Sequence, residues 1–154
     1  MERENKNPVL ILGLSPTGLH VARELNNMNV TTFGVSRGNQ TASKSNTLRK
    51  VFYAKPCESK KIIKIIKIIY AEYKCKIILL PTSDDYIEFI LYNSSILDGF
   101  CLFSESYKDG MVEKLLNKNK FYDFCKNNKI AHAKFAVISA NTFGSEAANF
   151  KFPF

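Results

Sequence analysis

Two short stretches hold the residue types best able to do chemistry. The first is GLSPTG, from Gly13 to Gly18. Gly13, Ser15, Thr17 and Gly18 are residues of a tight turn and a helix start, with Pro16 suited to the first helical position. The opening N–H groups of a helix have no partner within it, so this turn can seat a carboxylate or a phosphate. The second stretch is PTSDD, residues 81–85, in which Thr82, Ser83 and Asp84 follow an apolar run. Residues past the carboxyl end of a central strand are where open α/β sheets bind ligands. The same residues also read as a helix cap, since Thr82 and Asp85 have capping-box spacing. Neither stretch names a reaction.

The elements that must position these residues follow from periodicity. Val9, Leu10, Ile11 and Leu12 are continuously apolar, as a strand buried on both faces of a parallel sheet should be. Leu19, Ala22, Leu25 and Met28, with Val21 beside them, make one face of a helix that packs back on the sheet. Strand, glycine turn and helix together predict the opening of a doubly wound α/β domain. Val30–Val35 reads as the second strand, with Ser36 and Arg37 at its carboxyl end. A dinucleotide-binding domain would carry an acidic residue there and G-x-G-x-x-G in the first turn; both are missing, and no Gly-Lys-Ser/Thr of a P-loop is present. Arg37 alone keeps an NAD(P)-binding oxidoreductase domain as an alternative, because an arginine there can meet a 2′-phosphate.

Residues 38–46 read as a polar loop, and Val51–Ala54 as a third strand closed by Pro56. Ser59 is placed to cap the next helix. In that helix Ile62, Ile65, Ile66, Ile69 and Tyr73 form a stripe, with Lys60, Lys61, Lys64 and Lys67 largely off it. Such a basic amphipathic helix can lie on a membrane, but packing on the sheet is the expectation. Ile77–Leu80 is a fourth, central strand, followed by a helix through Asn93 with Ile87, Ile90 and Leu91 inward. If strands one and four are neighbours, the Gly13–Gly18 turn and the Thr82–Asp84 loop share one crevice. Phe100–Phe103 reads as a fifth strand. Ser104 and Ser106 then open a helical region from about Tyr107 to Asn117, continued from Lys118 to Asn128 with Phe121, Phe124 and Cys125 on its apolar face. Lys134–Ser139 is expected as a further strand and Asn141–Asn149 as a short helix.

The chain has 154 residues, 45% of them hydrophobic, with 12 Phe and 7 Tyr, enough for a substantial core. No apolar run reaches the ~18 residues of a membrane span, and the polar start MERENKNP does not read as a signal peptide. Cys57, Cys75, Cys101 and Cys125 lie far apart, as reduced cytosolic thiols do, and a cytoplasmic location is expected. The net charge of +8 comes mainly from lysines spread among asparagines. That is the pattern of a solvated surface, and with no recognition motif nucleic acid is not the expected partner; a non-catalytic basic interaction domain is kept as a further alternative.

The stretches ILGLSPTGLHVARELNNMNVTTFGVSR, IILLPTSDDYIEFI, EKLLNKNKFYDFCKNNKIAHAKFAVIS and FPF, in this order, resemble the amino-terminal part of ATP-grasp ligases. The nearest likeness is to carboxylate–amine ligases of the D-aspartate ligase and carbamoyl-phosphate-synthase-like group. The resemblance implies a Rossmann-like pre-ATP-grasp domain over residues 8–104, a helical linker over 105–129, and the incomplete beginning of an ATP-grasp domain over 130–154. It implies that the chain is a fragment, inactive alone. The whole ligase would join a small carboxylate to an amine through an acylphosphate made with ATP and Mg2+, whose ligands are expected beyond Phe154. Leu115, Asn117, Lys118 and Phe121 resemble a family signature, Leu-x-Asp-Lys with a following aromatic, and this implies a nucleotide-phosphate contact for Lys118. Gly13, Ser15, Thr17, Gly18, Thr82, Ser83 and Asp84 are the implied acceptor-binding residues. Asn117 departs from the family's Asp, and residues 129–133, with the loop residue His132, depart from its Gly-x-Pro-x-Pro. No membrane contact is implied, and a homodimer is left open.

Overall fold

In the computed structural model, which describes residues 7–136, the apolar run Val9–Leu12 is strand β1 at the middle of a five-stranded sheet. The chain forms two units, residues 1–109 and 110–154. In the first, β1 leads through α1 (Pro16–Asn27) to β2 (Thr32–Ser36). A 3-10 turn (Thr41–Lys44) precedes β3 (Lys50–Tyr53) and α2 (Ser59–Tyr73). β4 (Ile77–Pro81), α3 (Asp84–Leu97) and β5 (Cys101–Leu102) complete the order, and a second 3-10 turn (Glu105–Tyr107) follows. The strands are all parallel and lie in the order β3-β2-β1-β4-β5. The unit is thus a Rossmann-like α/β domain. The chain order reverses between β1 and β4, where Leu12 lies opposite Pro81.

Both faces of the sheet are covered, which is why β1 tolerates no polar residue. Leu10, Leu12, Phe33, Val35, Ile77 and Leu79 meet α2 and α3 on one face. Val9 and Ile11, with partly buried Ile78 and Leu80, meet α1 and the first 3-10 turn on the other. The isoleucine stripe of α2 is buried at Ile62, Ile65, Ile66 and Ile69, as its spacing predicts.

Several expectations need correction. Met28 does not pack on the sheet: α1 ends at Asn27, the chain turns through Asn29 at positive φ, and Met28 is left 62% exposed. The first strand after it starts at Thr32, with Val30 only partly buried. The loop over residues 38–46 is structured, because Ala42 is buried and its N–H donates to the Leu14 carbonyl (2.9 Å). Ser59 is the first residue of α2, and Glu58 holds the cap position, its carboxylate accepting the Lys55 N–H (2.6 Å). The inward face of α3 is Tyr86, Phe89, Ile90 and Leu97, while Ile87 and Leu91 are half-buried. β5 is only two residues long, since Phe100 and Phe103 instead pack edge-on against Tyr70 and Tyr107.

The second unit contains α4 (Met111–Leu116) and α5 (Lys118–Asn127). Asn117 separates them in extended conformation, and its side-chain oxygen accepts the N–H groups of Asn119 and Lys120 (3.0 and 3.2 Å), a full N-cap. Lys134–Ala136 carry no regular secondary structure. The rest of the expected strand, the helix over Asn141–Asn149 and the terminal FPF lie outside the described residues. Among the described residues, no helix is long and apolar enough to cross a membrane.

Candidate functional site

The two stretches singled out from sequence meet where β1 and β4 end. The Thr82 hydroxyl donates to the carbonyl oxygens of Leu12 (3.1 Å) and Gly13 (2.9 Å). Gly13 has φ +98°, and a Cβ there would stand 2.5 Å from Thr82 Oγ1. Only glycine satisfies both conditions at once. Gly18 is needed for a second close approach, because a Cβ on it would strike the Gly13 carbonyl oxygen. These glycines let the start of α1 sit directly on the end of β1.

The hydrogen-bonding capacity left in this crevice is specific. The N–H of Gly13 donates to Val35 (3.0 Å) and that of Leu14 to the Gln40 side chain (3.1 Å). Ser15 occupies the α1 cap position, but no side chain caps that helix. The N–H groups of Thr17 and Gly18 therefore have no side-chain partner, and Thr17 is exposed beside buried Gly18. Across the crevice, the capping-box expectation is not met: Ser83 holds the α3 cap position without a capping bond, and Thr82 is spent on β1.

Ser83 and Asp85 serve a different partner. The Arg37 guanidinium, at the end of β2, donates to Asp85 (2.8 Å) and to the Ser83 hydroxyl (3.2 Å), and Ser83 donates to Asp85 (2.6 Å). The guanidinium also lies 5.5 Å over the Tyr86 ring. Burial by itself would raise the Asp85 carboxyl, but the Ser83 and Arg37 bonds outweigh it and hold it below its ordinary value. The Tyr86 hydroxyl donates to the Ala54 carbonyl (3.0 Å), and burial pushes the phenol up to about 12. Arg37 thus links the end of β2 to α3 at the surface. Asp84 is exposed in the first turn of α3, where a carboxylate is favoured by the helix dipole.

A groove of about 470 Å³ lies along the rim beyond Arg37. Lys55, Pro56, Cys57 and Ser59 form one wall, from the β3–α2 connection. Asp85, Glu88, Tyr92 and Asn93 form the other, and Phe89, only 3% exposed, lies between. None of the seven residues expected to bind an acceptor lines it. Sequence reasoning passed over this groove, although Asp85, Glu88, Phe89, Tyr92 and Asn93 have the spacing of one helical face.

Lys118 belongs to the second unit, at the first position of α5, with its side chain exposed. The N–H groups of the two residues after it are already taken by Asn117. A phosphate there would meet the lysine ammonium and not an open helix terminus. Among the described residues, no group of three or more His, Cys, Asp or Glu side chains is placed to hold a metal ion. No protein-family model matches the chain, and no curated protein is significantly similar to it.

Proposed function

We propose that this chain is the amino-terminal part of an ATP-dependent carboxylate–amine ligase, and that its first unit forms one wall of the acceptor site. The observation that carries the reading is the junction of the β1 and β4 loops through Thr82 on Leu12 and Gly13. It puts two sequence stretches, each weak alone, side by side where the strand order reverses, the usual ligand position in open α/β sheets. The N–H groups of Thr17 and Gly18 receive the acceptor carboxylate or its phosphorylated form, and the dipole of α1 favours that charge. Thr82 fixes the depth of the seat. Lys118 supplies a cation toward nucleotide phosphates. ATP, when bound, supplies the phosphoryl group that converts a carboxylate into a species an amine can attack. Mg2+, when bound, would offset the triphosphate charge during that transfer.

Arg37, the residue that favours the NAD(P) alternative, is engaged by Asp85, Ser83 and Tyr86. The test is acceptor-dependent ADP release by the whole product of the reading frame, with pooled carboxylates and amines. Lys118→Ala should raise KM for ATP about tenfold while leaving the fold intact. Absence of acceptor-dependent ADP release from folded protein would sink the ligase reading, and salt-sensitive binding to RNA or DNA would favour a basic interaction domain instead.

A further inference from the structure

The groove beside Arg37 adjoins the β1–β4 crevice through Arg37 and Asp85, both bonded to Ser83, but what it binds does not depend on the ligase reading. Its volume of about 470 Å³ falls in the ordinary small-molecule range of about 300–1,000 Å³. Its charges are arranged in two ways. Arg37 and Asp85 neutralise each other at 2.8 Å and leave no surplus. Lys55 and Glu88, one on each wall, form no ion pair with each other or with any other described residue. The Lys55 N–H is held by Glu58, whose carboxylate pairs with Lys61 at 3.5 Å. That backbone bond, and after it the Lys61 and Lys55 charges, hold the carboxyl below its ordinary value, without closing an ion pair with the Lys55 ammonium. Pro56, Phe89 and Tyr92 also line the groove, Phe89 being 3% exposed and Tyr92 77%. Such an exposed ring beside a buried one offers a flat contact surface.

We propose that this groove binds a small zwitterion with a flat apolar body. Its carboxylate lies toward Lys55, its ammonium toward Glu88, and its ring against Tyr92 and Phe89. A dianion would meet Asp85 and Glu88, and a dication would meet Arg37 and Lys55, so a molecule carrying one charge of each sign is the best match. Cys57, exposed on the rim, is a reporter of occupancy.

Three probes separate the charges: L-phenylalanine, phenethylamine, which lacks the carboxylate, and 3-phenylpropionate, which lacks the ammonium. Titration into the folded chain, followed by amide NMR, should give saturable shifts with L-phenylalanine at residues 57, 88, 89 and 93. Each singly charged probe should bind about fivefold more weakly. Lys55→Gln should abolish the preference over phenethylamine alone, and Glu88→Gln the preference over 3-phenylpropionate alone. Both side chains are exposed, so neither variant endangers folding. L-phenylalanine should also slow alkylation of Cys57 by iodoacetamide. The proposal is overturned by absence of saturable shifts at about 20 mM L-phenylalanine. It is equally overturned by shifts confined to other surfaces, or by either variant weakening all three probes alike.

Discussion

Thr82 reaches two main-chain carbonyls with one hydroxyl, and Gly13 is the residue that lets it come so near. Gly13→Ala therefore strains the backbone at positive φ and pushes Thr82 off its partners. A loss of about 2–4 kcal/mol is expected from urea unfolding. In a Thr82→Ala background the same substitution should cost less, because the clash is gone while the φ penalty remains. The Tyr86 phenol gives a pH signature. Its folded value, about 12, lies above the ordinary 10.0, so the native state prefers the protonated form. Its contribution to stability is complete below pH 10 and declines as the pH rises from there toward 12. Tyr86→Phe should flatten that alkaline decline and remove the bond to Ala54. Residue identity foretold Gly13 and Gly18 well, because glycine beside a strand end has few other uses. The partner of Arg37 was not legible, since a cation at the end of β2 looks the same whether it meets a phosphate or a carboxylate 48 positions away.

At the scale of elements, the apolar pattern was the strongest guide. Ile66 is buried at 0% and Ile68, two positions on, is 50% exposed. Ile66→Ala should cost about 2–5 kcal/mol in the folded first unit, while Ile68→Ala should change stability by about 0.5 kcal/mol or less, both read from denaturant midpoints. The strands of the sheet announced themselves as short runs bounded by Gly, Pro or polar residues. Helix ends did not. Ser59 and Thr82 are capping types at capping spacings, yet Glu58 and Ser83 hold the cap positions, because a cap is decided by where the preceding strand releases the chain. Asn117 is the contrary case: a polar residue between two helical patterns that does cap the second. The groove was invisible for a related reason. Its two walls come from elements about thirty positions apart, and their pairing depends on the sheet order, not on either pattern.

At the scale of the whole molecule, sheet order is the fact no local pattern contains. The adjacency of β1 and β4, left as a condition by the sequence, is present in the structure. The two units differ in burial. The first has two covered sheet faces, whereas Cys125 is the one buried residue among those described in the second. Amides of β1 and β4 should accordingly exchange with solvent more slowly than those of α4 and α5, by hydrogen–deuterium exchange at neutral pH. Equal protection in both would mean that the second unit is braced beyond what its described residues make.

The position of β1 bears also on how the protein comes to be made. Its partner β2 emerges from the ribosome soon after it, but Val9 must wait for Ile78 before its other edge is occupied. Between the end of β3 at Tyr53 and the end of β4 at Pro81, translation takes about 1–6 seconds at about 5–20 residues per second. Throughout that interval the fully buried strand β1 presents an unpaired edge, and the isoleucines of α2 have only half a sheet to cover. Chaperone demand should be concentrated in this window, and slowing codons placed within it should lower the soluble yield more than the same codons placed after Leu102.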